Sequence, residues 1–203
     1  MKTLNLLLTA GALCGLLQAN ISQAALVLDS GTPDQPKVPL VLDGANDAAA
    51  ALALTANTTL TSIEGFITAG AFGSSAGNTF TIALYDDASI AHGAPLMMQQ
   101  ASYQADGWNG LSNLHWDITT AGNYWLAFEV SGNDTGSLQL PVVAKNGTHP
   151  ALGYAFNAGS GYVPIVGEDF GVQVSAVPLP GSLWLFAMPI LGLTATVRRK
   201  LAA

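Results

Sequence analysis

Three histidines, His92, His115 and His149, carry the side chain best matched to proton transfer near neutral pH. Their surroundings argue against that use. His92 and His149 stand in stretches rich in Gly and Pro. His115 alternates with Leu114 and Trp116, so it faces away from that segment's apolar side. No two histidines share the short spacing that presents a pair of zinc ligands, and no Gly-x-Ser-x-Gly turn exposes a serine nucleophile. The nearest string, Gly159-Ser160-Gly161-Tyr162, reads as a loop. Cys14, the one cysteine, belongs to the N-terminal apolar stretch. The remainder of the chain therefore has no thiol nucleophile, thiolate metal site or disulfide. The expectation is a protein that is not an enzyme, with a secreted hydrolase assembled from distant residues as the remote alternative.

Acidic and aromatic residues point to binding instead. Carboxylates concentrate in Asp43-Gly44-Ala45-Asn46-Asp47, Asp86-Asp87 and Glu168-Asp169. Calcium wants several oxygen ligands converging from loops. None of the three clusters matches the D-x-[DN]-x-[DN]-G loop, and Asx turns account for the first without a metal. Asp86 and Asp87 are the calcium candidates; no other cofactor is expected. Trp108-Asn109-Gly110, preceded by Tyr103 and Asp106-Gly107, offers glycan chemistry: aromatic faces on which a sugar stacks, and amides that hydrogen-bond its hydroxyls. Tyr103, Trp108 and Asn109 are the candidate glycan contacts, with burial as core or loop anchors the competing reading. Trp125 points opposite to Leu126 and Phe128, and is exposed unless a second sheet covers it.

Charge narrows the partners. Of six Lys and Arg residues, four (Lys2, Arg198, Arg199, Lys200) stand near the ends, leaving Lys37 and Lys145 against all 13 acids. So acidic a middle repels phosphate backbones, which excludes nucleic acid as a partner.

The two ends differ from the middle. Lys2 is followed by an apolar run from Leu4 to Leu17 and then by Ile21-Ser22-Gln23-Ala24-Ala25, with small residues at the −3 and −1 positions for cleavage after Ala24. Residues 1–24 read as a secretory signal peptide. At the other end, Val177-Pro178-Leu179-Pro180-Gly181 is an extended, proline-stiffened segment. A charge-free apolar run from Ser182 to Val197 follows, then Arg198-Arg199-Lys200. As a helix that run would be roughly 24 Å long, slightly short of a ~30 Å hydrocarbon core. The basic cluster would stay cytoplasmic and hold the folded part outside the inner membrane.

This ordered set of proline motif, apolar segment and basic end resembles the PEP-CTERM sorting signals of Gram-negative bacteria, in the variant beginning Val-Pro-Leu-Pro. Leu179 replaces the family's usual glutamate, and Gly181 stands where Ala is common. The resemblance covers residues 177–200. It implies a precursor anchored in the inner membrane and then cut at Val177-Pro178-Leu179-Pro180 by exosortase, a membrane protease-transpeptidase. It also implies delivery to the cell surface or release, often alongside exopolysaccharide.

The elements that must position all this are short strands. Phe80, Ile82 and Leu84 share one face of Phe80-Thr81-Ile82-Ala83-Leu84-Tyr85. Leu114, Trp116 and Ile118 share another, as do Tyr124, Leu126, Phe128 and Val130. Phe170-Gly171-Val172-Gln173-Val174 repeats the period of two, and Ile63-Glu64-Gly65-Phe66-Ile67 and Leu138-Gln139-Leu140 are further candidates. The alanine-rich segment from Asp47 to Leu54 suits a helix or the start of a strand. Frequent Gly and Asn turns separate these runs. The pattern predicts one all-β domain over residues 25–175, a β-sandwich of jelly-roll type, flanked by a signal helix and, over 176–203, a sorting signal with a transmembrane helix. A stretch from Thr79 to Asp87, Gly93-Ala94-Pro95-Leu96, and Thr119 to Phe128 resembles a β-sandwich domain common in PEP-CTERM cargo, which implies the same fold. The function expected is a noncatalytic exported surface or matrix protein associated with exopolysaccharide; the alternative is a carbohydrate-binding module.

Overall fold

The computed structural model describes residues 23–33, 39–70, 75–91, 94–130, 137–142, 146–166 and 169–178. These hold twelve strands: β1 (Ala25–Asp29), β2 (Leu40–Leu42), β3 (Asp47–Leu54), β4 (Thr58–Ala69), β5 (Thr79–Asp86), β6 (Met97–Ser102), β7 (Gly107–Ile118), β8 (Gly122–Glu129), β9 (Leu138–Leu140), β10 (Gly153–Asn157), β11 (Tyr162–Ile165) and β12 (Val172–Pro178). No helix occurs among the described residues, and so none there is long and apolar enough to cross a membrane. Residues 1–22 of the signal peptide, Leu179, Pro180, the apolar segment after them, and Arg198, Arg199 and Lys200 lie outside the described residues.

The strands form two antiparallel sheets. One runs β1-β12-β4, with β7 also paired to β4 and β9-β2 continuing from the end of β4; the other runs β11-β10-β3-β8-β5-β6. Alternation explains the shared core. Phe80, Ile82 and Leu84 on β5, and Leu126 and Phe128 on β8, are fully buried. Leu114, Trp116 and Ile118 on β7 are buried while His115 between them is exposed. Phe128 stacks on Phe80 at 6.3 Å and meets Phe170 edge-on at 6.0 Å. Gly65 on β4 lies directly opposite: a side chain there would land 2.7 Å from the Phe128 ring, so glycine lets the two sheets close.

Two elements depart from the sequence pattern. Asp47 to Leu54, open to a helical reading, is a strand between β8 and β10. Alanine favours helix in isolation, but sheet neighbours decide here. Ala48 and Ala50 face the core, and Ala49 backs the opposite surface. Strand β7 carries a bulge. Its register with β4 passes from Trp116 opposite Leu60 to Ser112 opposite Ser62, and Asn113 holds a left-handed φ of 57°. Asparagine tolerates that conformation better than most side chains. The bulge reverses the strand's phase: Leu111 and Leu114, three positions apart, are both buried.

Residues Ala24–Pro178 form one compact unit. Its first and last strands pair with each other, Ala25 opposite Ala176. Strand β12 continues past residue 175, with Val177 and Pro178 opposite Thr59 and Thr58 of β4.

Candidate functional site

Tyr103, Trp108 and Asn109 come together at the turn from β6 to β7, but in different roles. The Asn109 amide is 4% exposed and spent on the turn: Nδ2 donates to the carbonyls of Ala105 and Gly107 at 2.8 Å each, and Oδ1 accepts from Gln104 N at 2.8 Å. The Tyr103 hydroxyl donates to Asp106 Oδ1 at 2.6 Å, which raises the phenol's pKa and lowers that of the carboxyl. Asp106 Oδ1 also accepts from Ala69 N, tying the turn to β4. These two side chains build the loop. Trp108 lies beyond the bulge, on the strand's outer side, braced edge-on by Phe66 at 5.5 Å.

The turn borders a shallow open groove of about 460 Å³ between β4, β6 and β7. Trp108, Gly110 and Ser112 of β7, Glu64 of β4, Gln100 and Ser102 of β6, and Gln104 line it. Glycine is required at position 110, where a Cβ would sit 2.0 Å from the Ile63 carbonyl oxygen. Among the described residues, no hydrogen bond engages the side chains of Glu64, Ser102, Gln104, Trp108 or Ser112. The polar half of this groove was hidden in the sequence, because its residues come from three strands and a turn.

A second polar–aromatic cluster covers the outer face of the other sheet. Ala155, Ala49, Ala127 and Ala83 form a cross-strand row. The row's small side chains leave room for large rings: Tyr85, Tyr162, Trp125 and Ile90 pack on Ala49, Ala83 and Ala127. Tyr85 and Tyr162 both donate to Glu129 Oε1 at 2.8 Å. Burial first, and then the Glu129 charge, push both phenols far above their ordinary pKa, so they stay protonated donors. Asp47 lies beside them, accepting from Val130 N and Asn157 Nδ2 at 3.2 Å each. Burial, with Glu129 adding repulsion, pushes its carboxyl up to about 6. Trp125 Nε1 donates to Asp87 Oδ1 at 2.9 Å.

The calcium candidates are thereby placed. Asp87 holds the Trp125 indole, and Asp86 Oδ1 accepts from Ser89 N at 2.7 Å to close a turn. Asp43 caps its own turn, accepting from Ala45 N at 2.9 Å and from Asn46 Nδ2 at 2.7 Å. No group of three or more His, Cys, Asp or Glu among the described residues is arranged to hold a metal ion.

The histidines can be placed too. His92 lies outside the described residues, and His115 is exposed on β7. His149 Nδ1 lies 3.0 Å from the Thr148 hydroxyl, which contacts Asp29 Oδ2 at 2.9 Å. In a catalytic triad the imidazole stands between carboxylate and hydroxyl. Here the hydroxyl stands between the other two. Asp29 instead organises the strand end, accepting from Thr148 N, Gly31 N and Gln173 Nε2 as well. Burial acts to raise its pKa, but these hydrogen bonds outweigh burial and hold it below the usual carboxylate value.

In comparisons with known proteins, the chain matches no protein-family model and no curated protein.

Proposed function

We propose that this chain is a noncatalytic exported protein of the cell surface or extracellular matrix. An exosortase-like membrane protease sorts and cleaves it at Val177-Pro178-Leu179-Pro180, and it acts in association with exopolysaccharide. Residues 1–24 serve as the signal peptide. The apolar segment ending at Arg198-Arg199-Lys200 anchors the precursor in the inner membrane until cleavage. The pairing of β1 with β12 carries the reading: Ala25 sits opposite Ala176, and the compact unit spans Ala24–Pro178. The segments before Ala24 and after Pro178 can then be removed with both terminal strands left whole. A jelly-roll topology fits the same account. Among the eight strands ordered β1-β12-β4-β7 and β3-β8-β5-β6, each step along the chain crosses from one sheet to the other except β5 to β6, as in two interleaved Greek keys.

The pairing also sets the test. Val177 and Pro178 belong to β12, so a truncation should remove Leu179–Ala203 and leave the strand whole. Cells producing the full and truncated chains are fractionated, and the domain is followed by immunoblot. The full chain should pass from the inner membrane to the surface or medium with a loss of mass. Normal surface delivery of the truncated chain would sink the sorting reading.

A further inference from the structure

From the groove we infer a binding site for an internal segment of a neutral, hydroxyl-rich polysaccharide, with Trp108 as its stacking surface and Glu64, Gln104 and Ser112 as hydroxyl partners. The inference rests on the exopolysaccharide reading above and gives it a place and a ligand chemistry.

Four observations support it. First, the groove combines one indole with carboxamide, hydroxyl and carboxylate groups, the mixture that recognises a pyranose: its C–H face lies on an aromatic ring, and its hydroxyls need both donors and acceptors. Second, Trp108 is fixed before any ligand arrives. The bulge at Asn113 turns it outward, and Phe66 braces its edge at 5.5 Å. A preset ring loses little freedom on binding. Third, charge selects the polymer. Glu64 is the one ionisable acid in the groove, and no Lys or Arg occurs among the described residues. Uronic or sulfated chains would meet repulsion from Glu64 with no Lys or Arg among the described residues to receive them, whereas an uncharged chain meets none. Fourth, the groove is shallow and open, a shape that fits a stretch of chain lying across it.

The full chain, extracted in a non-ionic detergent, would be titrated calorimetrically with neutral hexasaccharides (β-1,4-glucan, β-1,3-glucan, α-1,6-glucan, β-1,4-mannan) and with polygalacturonate. At least one neutral hexasaccharide should bind and polygalacturonate should not. Trp108→Ala should weaken binding about tenfold, and Gln104→Ala severalfold. Trp125→Phe, on the other sheet, should bind as the parent does. Thermal melts establish that each variant is folded; Gln104→Ala decides the matter if Trp108→Ala is not. Three results would each overturn the proposal: no binding by any neutral glycan, equal binding of polygalacturonate, or an unchanged affinity in folded Trp108→Ala or Gln104→Ala. Fractionation reads delivery separately, so a sorted chain that binds nothing overturns the groove alone.

Discussion

On the outer face of the second sheet, Glu129 accepts hydrogen bonds from Tyr85 and Tyr162, Asp47 accepts from Asn157 and Val130, and Trp125 donates to Asp87. In the groove between β4, β6 and β7, Glu64, Gln104 and Ser112 surround Trp108 with no such engagement among the described residues. The residue types are nearly the same, but their use differs. Across the alanine row, polar groups satisfy one another, and burial makes that satisfaction count toward stability. Along the groove the same chemistry faces outward. Aromatic and acidic composition therefore does not distinguish a binding surface from a small structural cluster; what separates them is whether the polar atoms already have partners.

Substitutions can break this contrast, and the largest effect should come from Glu129→Leu. Both phenols would lose their acceptor, and stability should fall by about 2–4 kcal/mol. Denaturant midpoints would measure it. Glu129→Gln, which keeps an acceptor, should lose much less. A shift no larger for Leu than for Gln would remove the cluster from the structural side of the comparison. Ala127→Leu comes next. It fills the space under the tyrosine rings and should cost about 1–3 kcal/mol by overpacking, read as a lower melting temperature.

In the groove, stability should depend on backbone more than on polar contacts. Asn113→Val puts a β-branched residue at a φ of 57° and should cost about 1–2 kcal/mol, whereas Asn113→Gly should be nearly neutral. If valine were tolerated as well as glycine, the bulge would not set the phase of β7.

The smallest effect is a pH slope. Asp47, pushed to about 6, binds its proton more tightly in the folded chain than in the unfolded one, where its ordinary value is 3.8. Its contribution is therefore greatest below pH 3.8 and is lost as pH rises to about 6. Asp29 and Asp106 are lowered and act in the opposite sense, losing stabilisation as pH falls below 3.8. Chemical denaturation at pH 4.5 and pH 7 should give the higher midpoint at pH 4.5 from this site, and Asp47→Asn should flatten the difference. An unchanged slope in that variant would show that Asp47 is not its source.

Much of the fold was legible in the sequence. The period of two placed Phe80, Ile82, Leu84, Leu114, Trp116, Ile118, Tyr124, Leu126 and Phe128 inward, and all are buried. Leu138–Leu140 is a strand as its pattern suggested. Strands β1, β2, β6, β10 and β11 carried weaker signals; of the two edge strands, β6 buries only Ala101 among mixed polar and apolar residues, and β11 buries none of its side chains. The candidate site was half legible. Trp108 could be singled out by type, but Asn109 and Tyr103 proved to be the scaffolding of the turn.

Charge, the single cysteine, the apolar ends and the inward faces of the major strands follow from the sequence alone, since each depends on residue type and local spacing. Register required the tertiary structure. A bulge at Asn113 reverses which residues of β7 face outward, and cross-strand pairing assembles the alanine row under Tyr85 and Tyr162. A strand's own period is local, but its phase against its neighbours, and the partner each polar group finds there, are set by residues far away in the chain.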